Sequence, residues 1–126
     1  MLQEDIPVWY RFLEREGSAF LALYYDVLLG GPWLSRQEER DPLKRMWRAN
    51  TAKRADALAE LKDEIWIIEV ALDPGLRAAG QLVTYGSLWK EDPKSPKTPR
   101  LVLVSERLDT DLTAALGDLG VMVFLV

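Results

Sequence analysis

Two carboxylates, Asp56 and Glu69, stand in apolar or small surroundings on either side of the short segment Leu61–Glu64. A turn centred in this segment predicts a β-hairpin whose register places Asp56 directly across from Glu69, and Arg54 directly across from Ala71. Facing carboxylates repel each other unless positive charge lies between them. The sequence leaves three sources of that charge open: a divalent metal, a basic side chain such as Arg54, or a proton on one acid.

The composition limits the chemistry available to the two acids. The chain of 126 residues contains no cysteine and no histidine. Disulfides, thiolate or imidazole metal sites, and catalysis by Ser-His or Cys-His pairs are therefore excluded. Any bound metal must be held by oxygen ligands, which points to magnesium, manganese or calcium.

The charge pattern is uneven, although the net charge of −4 argues against general coating of nucleic acid. One acid-free run of eleven residues carries five basic side chains: Lys44, Arg45, Arg48, Lys53 and Arg54. Such a run forms either a phosphate-facing patch or an ordinary solvated surface, and the sequence does not choose between the two. No apolar run approaches the roughly 20 residues of a membrane span, and the start lacks a signal-peptide pattern. We therefore expect no membrane partner and a cytoplasmic location.

Alternating patterns predict the elements that must position these residues. In the first half we expect a helix over residues 6–16, a strand within 19–32, a loop, and a short helix from Asp41 or Pro42 to Asn50. After the hairpin we expect a helix with Asp73 as N-cap and Pro74 in its first turn, followed by a proline-rich loop over residues 91–99. A strand, a helix capped by Asp109 and a last apolar strand complete the chain.

Continuous apolar strands separated by a helix are typical of a buried parallel sheet. We therefore predict one α/β domain over residues 1–126, with a mixed central sheet flanked by helices in the order α-β-β-β-α-β-α-β.

At the hairpin the sequence resembles the PD-(D/E)XK nuclease superfamily, whose restriction-endonuclease-like core has this order of elements. The resemblance extends from about residue 5 onward. In that superfamily an Asp on one hairpin strand and a Glu-x-Lys on the next bind magnesium, and an acid on the first helix often assists. Asp56 and Glu69 match the two acids here. The resemblance implies that Glu14 or Glu16 is the helical acid.

Some branches of the superfamily also carry Gln-x-x-x-Tyr on the following helix, and "GQLVTY" supplies it as Gln81 and Tyr85. Their spacing places both side chains on one helical face. One position departs from the pattern, because "IIEVA" places Ala71 where the superfamily has its catalytic lysine. Arg54, Lys53 or Lys90 could supply positive charge from elsewhere, but an arginine does not reproduce a compact ammonium.

The resemblance therefore implies a nuclease-like domain without efficient catalysis, and no cofactor is expected. The chain is also similar to small proteins of tailed bacteriophages. That similarity implies a structural or assembly role in a virion, at the head–tail connector (neck) or tail, with assembly in the host cytoplasm. The expected partners are further copies of the chain or other virion proteins. Tryptophans outside the predicted central strands, favoured at protein interfaces, fit this role: Trp9, Trp33, Trp47 and Trp89.

Two alternatives remain. The first is an active DNA endonuclease with magnesium or manganese held by Asp56 and Glu69, in which Gln81 and Tyr85 complete the site and the basic run guides the DNA backbone. The second is a protein that binds DNA without cutting it.

Overall fold

The computed structural model describes residues 1–126 and contains a five-stranded sheet with four α-helices. The helices are α1 (Ile6–Glu16), α2 (Pro42–Thr51), α3 (Leu76–Glu91) and α4 (Thr110–Asp118). The strands are β1 (Ala22–Leu29), β2 (Lys53–Glu60), β3 (Glu64–Ala71), β4 (Thr98–Ser105) and β5 (Val121–Leu125).

The strands lie side by side in chain order, from β1 at one edge to β5 at the other. The pairs β1–β2 and β2–β3 are antiparallel, whereas β3–β4 and β4–β5 are parallel. The predicted α/β class and mixed sheet are therefore confirmed. The complete order is α-β-α-β-β-α-β-α-β, because α2 stands between β1 and β2, so it differs from the predicted order of eight elements.

The two faces of the sheet carry separate apolar cores. On one face α1 inserts Val8, Trp9 and Phe12 against the sheet, where they meet an aromatic cluster that includes Trp66 and Phe124. On the other face, α3 and α4 cover a core that contains Leu82, Tyr85, Trp89, Leu112 and Leu116. Each fully buried side chain of this size contributes about 1.5–3 kcal/mol, so the two cores hold α1, α3 and α4 firmly on the sheet.

The helix ends follow local side-chain chemistry in two cases and long-range contacts in a third. Asp109 caps α4, as predicted, and accepts two backbone N–H groups of its first turn, while Asp41 caps α2 by accepting the N–H of Leu43. The predicted start of α3 at Asp73 is wrong, because the helix begins at Leu76. The carbonyl of Leu72 accepts the N–H groups of residues 106 and 107, so the chain stays tied to the end of β4 before it can turn into the helix.

In strand β1 the alternation of side chains reverses at one residue. The hydroxyl of Tyr25 accepts a hydrogen bond from Trp9 on the α1 face, whereas Val27, two residues later, packs into the core on the α3 face. Residues two apart on a regular strand share a face, so the alternation of side chains between the two faces reverses at Asp26. Asp26 has a φ of 50°, a left-handed conformation that aspartate tolerates better than most residues.

Strand β2 makes the same reversal beside it. Ala57 packs on the α1 face, but Ala55 packs on the α3 face. A regular strand would place both alanines on one face, so the alternation of side chains reverses at Asp56. The register pairs Tyr25 with Ala57 and Val27 with Ala55, which sets the two reversals side by side in neighbouring strands.

Candidate functional site

The predicted register of the hairpin is confirmed where the strands pair, with Ala57 opposite Ile68 and Leu58 opposite Ile67. The two predicted pairs Asp56–Glu69 and Arg54–Ala71 lie beyond the last paired residues. Beyond the Ala57–Ile68 pair the backbone ladder between β2 and β3 stops, while β2 continues to pair with β1. At this point the Asp56 carboxylate replaces the backbone acceptor, because its Oδ2 accepts the N–H of Val70 at 2.8 Å. The two strands therefore part at Asp56, and a side chain fills the place of a backbone carbonyl.

The gap between the strands opens into a cavity of about 430 Å³. The cavity wall includes Asp56 and Glu69 from the hairpin and Gln81 and Tyr85 from one face of α3, together with Ala71. Four side chains that were singled out from the sequence thus surround one space. Gln81 and Tyr85 share a face because they lie four residues apart on α3, and Glu69 shares a face with Ala71 because side chains alternate along β3.

The positive charge nearest to the acids is the α-amino group of Met1, not Arg54. Its nitrogen lies 3.1 Å from Asp56 Oδ1 and 3.7 Å from Asp26 Oδ1. Burial alone would lower the pKa of this amino group, but the hydrogen bond and charge of Asp56 outweigh that effect and raise it. Arg54, one of the sources of charge that the sequence left open, donates its guanidinium to the carbonyl of Ala49 at 2.6 Å instead of pairing with an acid.

Glu69 lies against Asp56 with little access to solvent, and its Oε2 has no hydrogen-bond partner. Burial raises the pKa of Glu69 to about 8, and the charge of Asp56 and a hydrogen bond to it add to the rise. The hydroxyl of Tyr85 faces Glu69 and offsets part of that effect. At neutral pH the pair therefore holds one proton. This proton and the Met1 ammonium group together reduce the repulsion between the two acids.

Tyr85 ties the acid pair to the neighbouring strand. Its hydroxyl donates to the carbonyl of Arg54 at 2.8 Å, in the part of β2 that has lost its partner β3. Burial, and then the charge of Glu69, raises the pKa of Tyr85 above its ordinary value. The phenol therefore stays protonated and acts as a hydrogen-bond donor at the wall of the cavity.

The acid near the first helix is Asp5 instead of the expected Glu14 or Glu16. Asp5 is buried at the cavity wall, and its Oδ1 accepts the N–H of Leu72 at 2.8 Å. Glu14 is exposed, and neither glutamate lines the cavity. Sequence reasoning missed Asp5 because the residue precedes α1, where it reads as an ordinary helix cap.

The basic run of the sequence is divided in the structure. Lys53 and Arg54 line an open groove of about 760 Å³ that adjoins the acid cavity. Arg45 and Arg48 face a different hollow, where they donate to the carbonyls of residues 39 and 30. Lys44 lies over the ring of Trp47. Only two of the five residues therefore line the groove, and of these only Arg54 also lines the acid cavity. Lys90, the other lysine considered, lines neither cavity nor groove.

Arg77, which sequence reasoning did not single out, lines both the acid cavity and the basic groove. Its charge acts on the hydroxyl of Tyr85 by lowering the pKa of that group. Arg54, Gln81 and Tyr85 are also shared by the two spaces. The acids and the basic groove therefore form one continuous surface between β2 and the start of α3.

The two acids meet only part of what a divalent metal requires. The buried, unpartnered Oε2 of Glu69 is a free ligand atom, and magnesium is often held by one or two carboxylates with water completing its shell. Asp56, however, uses Oδ2 on Val70 and Oδ1 on the ammonium group of Met1. No three acids come close enough together to form a metal-binding group. Asp56 and Glu69 thus fit a metal only when the ammonium group moves away.

No protein-family model, curated protein or solved structure was found to match the chain. None of the helices combines the length and the apolar character needed to cross a membrane.

Proposed function

We propose that this chain is a nuclease-like domain without efficient cutting activity that serves as an assembly component of a tailed-bacteriophage virion, at the head–tail connector (neck) or tail. One observation carries the assembly role. Helix α2 is amphipathic, yet none of its residues is fully buried. Its apolar residues Leu43, Met46 and Trp47 are exposed instead, as expected of a surface that another protein covers.

The tryptophans divide in a way that supports the same role. Trp9 and Trp89 are buried in the two cores, so they serve the fold. Trp33 and Trp47 are about half exposed, and the guanidinium of Arg48 lies over the Trp33 ring. Exposed tryptophan is a frequent anchor of protein–protein contacts. The virion location rests on the similarity of the sequence to small phage proteins.

The loss of cutting rests on Ala71. This side chain lines the acid cavity at the position of the superfamily lysine, and it offers neither charge nor a hydrogen-bond donor. The nearest ammonium group is paired to Asp56 and is not free to contact a scissile phosphate. Loss of one such stabilising group typically costs about 10²–10³ in rate.

A combined measurement of assembly and cleavage tests this proposal. We expect self-association or a stable complex in sedimentation experiments, and no nicking of plasmid DNA in magnesium or manganese beyond that of the variants Asp56→Asn and Glu69→Gln. These amides keep the shape of the acids, and the amide oxygen introduced by Asp56→Asn can still accept the N–H of Val70. Nicking by the wild type that both variants abolish while remaining folded would overturn the proposal.

A second candidate function is a magnesium-dependent DNA endonuclease, with a non-cutting DNA-binding protein as its weaker form. The continuity of the acid cavity with the groove favours it, because Lys53, Arg54 and Arg77 could bind a phosphate backbone beside the two carboxylates. A bound metal would lower the pKa of its water and neutralise negative charge. Asp56 and Glu69 would hold it.

Substitution of the alanine separates the two candidates. In Ala71→Lys the new ammonium group enters the acid cavity, and Ser105, which pairs with residue 71 on β4, offers a buried hydroxyl that has no partner. We expect the free energy of unfolding to change by less than about 1 kcal/mol. If the site lacks only its lysine, nicking in magnesium rises at least tenfold in this variant but not in the control Ala71→Met, which adds length without charge.

No increase in nicking by Ala71→Lys, with the fold retained, would count against the endonuclease. A loss of several kcal/mol would instead mean that residue 71 points into the core and not into the cavity.

A further inference from the structure

Helix α2 and helix α4 have complementary surfaces at opposite edges of the sheet. Helix α2 leads from edge strand β1 into β2, and α4 packs beside β5, the other edge strand. A single chain cannot bring the two surfaces together, because the whole sheet lies between them. Two copies can do so if the α2 edge of one meets the α4 edge of the next.

The surface of α2 is large, apolar and basic. Leu43, Met46 and Trp47 follow one another at helical spacing and are 73%, 60% and 49% exposed. The segment 41–54 carries five basic side chains and a single acid, Asp41. A ten-residue helix is marginal in water unless something packs against it. Here α2 is attached to the domain by hydrogen bonds of Arg45 and Arg48 to backbone carbonyls. These bonds leave the apolar face of the helix exposed.

The exposed surface of α4 is small and acidic. Leu112 and Leu116 point into the core, so the opposite face presents Ala114 and Ala115 to solvent. Asp111 and Asp118 lie on that same face, one turn before and one turn after the alanines. The segment 106–118 contains four acids and one arginine. Bulky side chains of a basic helix can therefore approach its backbone closely between two carboxylates.

We propose that copies of this chain associate head to tail, with Leu43, Met46 and Trp47 of one copy seated on the Ala114–Ala115 face of the next. The inference rests on the proposed assembly function and supplies its partner. Asp111 and Asp118 then lie near Lys44, the basic side chain of α2 that is not bonded to a backbone carbonyl. Pairing of α2 with α2 is disfavoured, because it would bring two basic surfaces together.

A contact between two different surfaces does not close as a dimer. It produces a ring when the rotation between copies closes and an open chain when it does not. Two short helices bury less than the roughly 800 Å² per partner of a standard stable interface, so single contacts are weak. We therefore expect association that increases with protein concentration and decreases with salt, since part of the attraction is between exposed charges.

A charge exchange between the two helices tests the pairing. The head variant, Lys44→Glu with Asn50→Glu, places two carboxylates beside the exposed apolar residues of α2, and the tail variant, Asp111→Lys with Asp118→Lys, makes the α4 surface basic. None of these four side chains is buried or holds another element in place. The control Glu14→Lys with Glu16→Lys changes the net charge as much as the tail variant does, but on α1.

In sedimentation velocity over a concentration series at low salt, we expect the wild type and the α1 control to associate. Each of the head and tail variants alone should remain monomeric, and an equimolar mixture of the two should regain association, because each supplies the surface that the other has lost. Recovery in the mixture also proves that both variants are folded.

Three results would overturn the inference: a monomeric wild type at every concentration, association of the tail variant like that of the wild type, or no recovery in the mixture. Association of the tail variant alone would point to pairing of α2 with α2 or with another surface, and the assembly function would stand. Plasmid nicking in magnesium, measured on the same samples, reports on that function separately. Nicking by the wild type that Asp56→Asn abolishes would overturn the assembly function whatever the state of association.

Discussion

Replacement of Glu69 by glutamine should stabilise the protein increasingly as the pH rises. The pKa of Glu69 in the folded protein is raised to about 8, chiefly by burial and then by Asp56, from an ordinary value of 4.5. Between these two pH values the folded state holds a proton that the unfolded chain has lost, so a rise in pH favours unfolding. Glutamine keeps the size of the side chain and has no proton to lose, so Glu69→Gln escapes this penalty.

The size of the effect follows from the interval between the pKa of Glu69 in the unfolded chain and its pKa in the folded protein. Each pH unit costs the wild type about 1.4 kcal/mol relative to the variant. The difference should be small near pH 4.5, reach about 3 kcal/mol at pH 7, and level off at about 5 kcal/mol above pH 8. That is a large share of the 5–15 kcal/mol by which a typical domain is stable.

Urea unfolding followed by tryptophan fluorescence at intervals from pH 5 to pH 8 measures this difference. The control is Glu64→Gln on the same strand, where the hydrogen bond from Arg100 lowers the pKa of Glu64. That carboxylate is ionised in both states throughout the window, so the control should differ from the wild type by a constant amount. A difference for Glu69→Gln that stays flat from pH 5 to pH 8 would refute the reasoning. Glu69 would then be ionised in the folded protein, with its charge fully compensated.

Three further substitutions test other parts of the structure by the same unfolding measurement. Asp26→Gly should be neutral or stabilising by up to about 1 kcal/mol, since glycine adopts the positive φ without strain; a loss above 2 kcal/mol would mean that the Asp26 carboxylate matters more than its backbone. Tyr85→Phe leaves the Arg54 carbonyl without its donor and should cost about 1–3 kcal/mol, and an unchanged stability would place the hydroxyl in solvent. Phe12→Ala, in the α1 core, should cost about 3–5 kcal/mol; less than 1 kcal/mol would mean that α1 is not firmly packed on the sheet.

Local regularities made part of the candidate site predictable from the sequence. Asp56, Glu69, Gln81 and Tyr85 could be grouped because the pairing of a hairpin and the turn of a helix depend on spacing along the chain. The α/β class followed from the alternation of apolar strands and helices. These features need no knowledge of how distant segments meet.

The remaining features depend on contacts between distant parts of the chain. Asp5 reaches the cavity only because the start of the chain folds against Leu72, and nothing local to either residue predicts that contact. The Met1 ammonium group, and not Arg54, lies nearest to the acids for the same reason. The late start of α3 also arises from tertiary hydrogen bonds, which outweighed the helix-starting preference of Pro74.

The paired reversal of the pleat at Asp26 and Asp56 gives a reason for the acids to persist where no reaction needs them. Val27 and Ala55 reach the α3 core only because both strands turn over at the same row. Asp56 also holds the N–H of Val70 where the backbone ladder ends. A substitution at Ala71 therefore leaves this contact in place, whereas a substitution at Asp56 carries a folding penalty. Because folding alone explains an acid at this position, its presence is weak evidence of activity.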